Sequence, residues 1–141
     1  MDRFAGLLEL EEAFKNDTFG EVVNPLPEQI KQGKGTPENP LQFPFIRYTE
    51  PVVRLIDAVY AFNKENPEYN LYHYYDVLEN YGYSNIDYET IDVSDMDDKC
   101  LMALFMWLVR GERFCDGLIL GASESGAVAR WIARLREIAG G

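Results

Sequence analysis

Ser94-Asp95-Met96-Asp97-Asp98-Lys99-Cys100-Leu101-Met102-Ala103-Leu104-Phe105-Met106-Trp107-Leu108-Val109 is the stretch that decides the fold. Its apolar part, Cys100 to Val109, is apolar on every face of a helix, the pattern of a helix buried all round by its neighbours. It is far shorter than the roughly 20 residues needed to span a bilayer. Acids precede it, where a helix N-terminus favours negative charge, and Ser94 followed three residues later by Asp97 resembles a capping box. The stretch therefore predicts a central helix entered through an acidic turn.

Helical periodicity extends outward from it in both directions. Residues 3–15 place Phe4, Leu7, Leu8, Leu10 and Phe14 among Glu9, Glu11, Glu12 and Lys15, which predicts a first amphipathic helix. From Thr18 to Tyr48 the periodicity stops, and Pro25, Pro27, Pro37, Pro40 and Pro44 gather with Gly33 and Gly35, predicting a long connection. Connections of that length are uncommon in compact domains, so a short strand pair or packing across the helices is expected. Leu41-Gln42-Phe43-Pro44-Phe45-Ile46 favours packing, because its large apolar side chains would otherwise face water.

Thr49 is placed to cap a second helix, with Pro51 in its first turn and Val52, Ile56 and Val59 inward. Asn66-Pro67 ends it. A third helix is expected from Asn70 to Tyr81, with Leu71, Tyr74, Tyr75 and Leu78 inward and Gly82 as its stop. After the central run, Gly111 ends or kinks the helix, and Phe114, Cys115, Leu118 and Ile119 continue a stripe to Ala122, with Gly117 and Gly121 allowing close packing. Ser123 to Gly126 reads as a turn before a last helix marked by Val128, Trp131, Ile132, Leu135 and Ile138. The expected fold is all-α: one domain over 1–141, a compact bundle of five or six helices. Its long loop covers 18–48, with room for a short hairpin, and its helical core covers 49–138.

Composition bounds the function. An apolar fraction of 47% with 26% charged residues is that of an ordinary globular protein. Met1-Asp2-Arg3-Phe4 carries an acid where a secretory signal would be basic, so a cytoplasmic location is expected. There Cys100 and Cys115 are expected as free thiols. A formal charge of −11 disfavours direct binding to nucleic acid or to an anionic membrane and permits a basic protein partner. The common hydrolase, nucleotide-binding and metalloprotease signatures are absent, and no cofactor is implied.

One segment carries a resemblance. Leu108-Val109-Arg110-Gly111-Glu112-Arg113-Phe114-Cys115-Asp116-Gly117 resembles the signature of a small bacterial family of domains of unknown function, which runs from an apolar pair and an Arg to Arg-Phe-Cys-acid-Gly. Phe43-Pro44-Phe45-Ile46-Arg47-Tyr48-Thr49 looks like that family's aromatic lead-in to a helix, and Glu124-Ser125-Gly126 like its turn before the final helix. The resemblance covers roughly residues 40–138 and implies an all-helical domain, with no activity to transfer. At Gly111 the family often has an acid or another small residue, so this glycine bears on whether the central helix continues.

Three groups of residues are candidate sites. Cys115, between Arg113 and Asp116, is the candidate nucleophile, since a nearby guanidinium lowers a thiol pKa; His73, the single histidine, would have to reach it to act as base. Against this, a cysteine on an apolar stripe is commonly a small buried hydrophobe. Arg110 and Arg113 with Asp116 form a candidate anion or small-ligand corner, the alternative being an ion pair that fixes a turn. The acids at 92–98 lack calcium-loop spacing, with Met96 where a ligand is required, so no metal site is expected.

The third group lies between Glu65 and Asp98, which holds ten Asp or Glu residues, no Lys or Arg, and seven of the chain's nine tyrosines. It predicts an acidic, aromatic interaction surface that includes Tyr72, Asp76, Glu79, Asp95, Asp97 and Asp98, since tyrosine offers contact area at small entropy cost. The competing expectation is a solvated acidic face with its tyrosines packed inward. Three functions follow: a protein-interaction module, an acidic nucleic-acid mimic or inhibitor of phage or mobile-element type, and a small enzyme or ligand-binding domain using the Arg110/Arg113/Cys115 corner. The oligomeric state is left open.

Overall fold

The computed structural model describes residues 3–38, 40 and 44–140, and within them the chain is mostly helical. The decisive stretch is helix α6, Asp98–Gly111, where Cys100 to Met106, Leu108 and Val109 are all buried. Each large apolar side chain removed from water here contributes about 2 kcal/mol. Four helices surround it: α4 (Glu50–Glu65), α5 (Tyr74–Asn80), α7 (Leu118–Glu124) and α8 (Ala127–Gly140). Trp131 of α8 meets Phe105 edge to face, ring centroids 5.7 Å apart, at the centre of the core.

Asp97 is the N-cap of α6: its carboxylate accepts the Cys100 N–H at 2.9 Å. The expected Ser94 cap is thereby corrected. Ser94 instead lies in a turn, its own N–H donating to the Asp92 carboxylate and the Met96 N–H to the Val93 carbonyl, and the helix begins only after the extended backbone of Asp97. Met96 is buried, and its carbonyl accepts two bonds from the Arg134 guanidinium, at 3.1 and 2.9 Å, tying the acidic turn to α8.

The first predicted helix is two, α1 (Ala5–Leu8) and α2 (Glu11–Asn16), which cover one end of the bundle against α8. The chain tightens between them, with the Leu10 N–H bonded to the Leu7 carbonyl, so that Leu7, Leu10 and Phe14 all turn inward. The long connection holds strand β1 (Gly20–Val23), a short helix α3 (Leu26–Lys31) and strand β2 (Phe45–Tyr48). The strands pair antiparallel from Gly20 opposite Tyr48 to Val23 opposite Phe45, which supplies the expected strand pair. Of the stretch expected to pack across the helices, Leu41, Gln42 and Phe43 lie outside the described residues.

Thr49 does not cap α4 with its side chain, as its sequence position suggested. The hydroxyl donates to the Thr18 carbonyl at 2.7 Å and so fastens the strand pair instead. The inward stripe of α4 runs Val52, Leu55, Val59 and Phe62, with Ile56 only half-buried at its edge. The third predicted helix, expected from Asn70, begins as a 3₁₀ turn, Leu71–His73, separated by the left-handed backbone of Asn70 from a preceding 3₁₀ turn at Pro67–Tyr69. It becomes α-helical only at Tyr74. Gly82, with φ +91°, ends it as expected, and the Tyr83 N–H returns to the Leu78 carbonyl at 2.9 Å.

Candidate interaction surface

Helix α5 lies antiparallel to α6: Tyr81 at its end reaches Asp97 at the start of α6, and Tyr74 at its start lies within the field of Arg110 at the far end. Packing uses Leu71, Tyr74, Val77 and Leu78, the i, i+3, i+6, i+7 face. The opposite face therefore turns to water. Tyr72 is 76% exposed and Tyr75 60%, beside exposed Asp76 and Glu79. Tyr75 was expected inward; its ring instead lies over that of Tyr74, centroids 4.5 Å apart, with one edge in solvent. The tyrosines thus divide into an inner set and an outer one.

The acids divide in the same way. Asp97 caps α6 and accepts the Tyr81 hydroxyl at 2.7 Å, a bond that, ahead of burial, pushes the Tyr81 phenol up to about 12. Asp98 accepts the Tyr69 hydroxyl at 2.6 Å, and burial first, then this carboxylate, raises Tyr69 to about 12. These two acids are structural members of the helix entry. The carboxylates of Asp76, Glu79 and Asp95 make no hydrogen bond or ion pair among the described residues, and all three residues are exposed.

Two hollows adjoin on this side of the molecule. One, of about 350 Å³, lies between α5 and α6 against Tyr75, Glu79 and Trp107. The other, of about 410 Å³, is bounded by Asp87, Asp92 and Asp95. Tyr83 to Ile86 form the wall common to both. That wall is held by half-buried Tyr83 and Ile86, and the turn beyond it by Thr90 and Ile91 N–H bonds to the Asp87 carbonyl, at 3.2 and 3.0 Å.

The Arg110 to Asp116 corner is arranged differently from the sequence expectation. Helix α6 stops at Gly111, where a side-chain methyl would stand 2.6 Å from Leu118 Cδ2. The chain then turns, so Phe114 and Cys115 do not continue a buried stripe; Phe114 is 87% exposed and the Cys115 thiol is exposed too. Glu112 spends its carboxylate on the Gly117 and Ile119 N–H groups, at 2.9 and 2.8 Å, starting α7. No ion pair among the described residues involves Arg110, Arg113 or Asp116, so the expected pair that would fix the turn is replaced by this carboxylate–backbone clasp. Tyr48 from β2 packs beside it, burial first and Glu112 second pushing its phenol upward.

His73 is exposed in the turn before α5, and no hydrogen bond among the described residues joins it to Cys115. Cys115 lies instead within the electrostatic reach of Tyr88. Cys100 is buried in α6, and burial, with Asp97 second, raises its thiol to about 11. The described residues contain no group of three or more His, Cys, Asp or Glu side chains able to hold a metal. No helix among them is long and apolar enough to cross a membrane.

No curated protein and no solved structure matches the chain significantly. The sequence profile of DUF6508, a family of unknown function, matches residues 7–141, reaching further toward the N-terminus than the stretch of resemblance and taking in α2, the strand pair and α3. The chain belongs to DUF6508, a family of unknown function.

Proposed function

We propose that this protein is an interaction module whose outer α5 face, with the loop that follows, binds a basic segment of a partner protein. The observation that supports it is the outward placement of Tyr72 and Tyr75 beside Asp76 and Glu79. A purely solvated acidic face would turn its tyrosines inward, and a large aromatic ring left in water contributes nothing to folding. Tyrosine next to unpaired carboxylates is the composition of a surface that desolvates on contact, while the one-signed field speeds encounter with a cation. The chain's formal charge of −11 favours the same partner.

The experiment is capture on the immobilised protein, comparing wild type with the double variant Tyr72→Ser/Asp76→Lys. Both residues are exposed and free of structural bonds among the described residues, so the fold should persist and circular dichroism should be unchanged. A basic protein held by wild type and lost by the variant supports the reading. Equal retention by both, or retention only of acidic proteins, contradicts it. Competition by duplex DNA for a retained DNA-binding protein would instead identify a charge mimic, whose binding falls steeply with salt.

A further inference from the structure

The hollow between α5 and α6 takes Tyr75 and Glu79 from the exposed face and adds Tyr83 and Trp107 to them. Tyr75, Tyr83 and Trp107 give it aromatic walls, Leu78 its apolar base, and Glu79 stands at its rim with no cation paired to it among the described residues. At about 350 Å³ and half-open to water, it is shaped for a side chain presented by another molecule more than for an enclosed small ligand. We propose that this hollow receives an arginine side chain of the partner, its guanidinium lying against the aromatic walls and paired with Glu79. The proposal rests on the reading that the α5 face binds a basic protein, and it names the anchor.

Two considerations select arginine. The guanidinium is planar, weakly hydrated and forked, so it stacks on aromatic rings and presents two N–H groups to a carboxylate together; an ammonium is a compact, strongly hydrated point charge. A negatively charged side chain meets an unfavourable field and a neutral one gains no attraction from it, because beyond the shared wall stand Asp87, Asp92 and Asp95, and no Lys or Arg occurs from residue 65 to residue 98. Arg110, one turn beyond Trp107, is the cation nearest in sequence on α6, and its field acts on Tyr74. Two of the three aromatic walls are also held in advance. The backbone of Tyr83 is pinned by its N–H to the Leu78 carbonyl at 2.9 Å, and the Tyr83 and Trp107 rings are half-buried against the core, which lessens the ordering left to binding.

The test uses labelled arginine–glycine repeat peptides and matching lysine–glycine peptides, titrated by anisotropy against the full chain and two variants, Glu79→Gln and Tyr72→Ser/Asp76→Lys. The arginine peptide should bind severalfold more tightly than the lysine peptide. Glu79→Gln should weaken the arginine peptide about fivefold, the value of one partly exposed charge pair near 1 kcal/mol, and narrow its advantage over lysine. Trp107 fluorescence should change on binding while the fully buried Trp131 stays silent. Equal affinity for both peptides with no effect of Glu79→Gln, while the Tyr72/Asp76 variant abolishes binding, would overturn the arginine slot and leave the α5 face standing. Failure of both peptides to bind wild type would remove the slot and the face together.

Discussion

Replacing Asp97 by alanine tests how the acidic segment is built, because one carboxylate holds both the start of the central helix and the end of α5. Its Oδ1 accepts the Cys100 N–H at 2.9 Å and its Oδ2 the Tyr81 hydroxyl at 2.7 Å. Loss of an N-cap costs about 1 kcal/mol. The second bond adds about 1 kcal/mol, less than a buried bond to a charged acceptor because Tyr81 is 42% exposed. The sum, about 2 kcal/mol, lowers Tm by roughly 8 °C in a domain of this size. Thermal and urea melts of Asp97→Ala, Asp97→Asn and Ser94→Ala separate the contributions. Asparagine keeps the capping geometry and should recover about half the loss; Ser94→Ala should lie within about 0.5 kcal/mol of wild type, since Ser94 caps nothing. A Ser94→Ala loss exceeding that of Asp97→Ala would refute the assignment of the cap.

The remaining expectations concern packing, pH and thiol access. Gly121→Ala would place a methyl 2.3 Å from the Tyr88 hydroxyl, so it should destabilise by about 1–2 kcal/mol in wild type, yet become neutral or stabilising in a Tyr88→Ala background where alanine's helix preference is free to act. Melts of the four proteins in that cycle decide it. Tyr69 and Tyr81 both have folded pKa values raised to about 12 from 10, so their contribution is complete below pH 10 and is lost as pH rises through 12. Melts of Tyr69→Phe and Tyr81→Phe should accordingly show a shallower fall of stability than wild type between pH 10 and 12. Native protein treated with iodoacetamide at pH 8 should gain a single adduct, at exposed Cys115, with buried Cys100 reacting only after unfolding; mass spectrometry of the peptides reads this directly.

The central helix was legible because ten consecutive apolar residues leave no face for water, a constraint that no tertiary context relaxes. Its entry was misread for the opposite reason. Ser94, Asp95, Asp97 and Asp98 are all competent caps by type, and which one caps is decided by where the turn at Ser94 and Asp95 gives way to the helix, after Met96 has buried itself and Arg134 has bound the Met96 carbonyl from 38 residues away. The corner at 110–117 misled similarly. Phe114 and Cys115 fit a stripe by spacing, but the helix ends first, at Gly111, which packs closely under Leu118, and the Glu112 carboxylate starts the next one.

Of the interaction surface, the composition was visible and the sorting was not. The excess of acid and tyrosine between 65 and 98 is plain in the sequence, whereas the division into structural Asp97 and Asp98 and solvent-facing Asp76, Glu79 and Asp95 follows from hydrogen bonds that link distant residues. Inward Tyr74 and outward Tyr75 are adjacent, so a one-residue shift in where α5 begins interchanges them. The aromatic hollow draws on α5, the loop after Gly82 and Trp107 of α6, and no local pattern brings those three segments together.

The most direct test of the account is amide and indole NMR of the isotope-labelled protein titrated with the arginine–glycine peptide. Perturbations should gather on residues 72–95 and on the Trp107 indole, with the Arg110 to Asp116 turn unmoved. Perturbations confined to that turn and its exposed Cys115, or no saturable change anywhere, would contradict the assignment of the binding face.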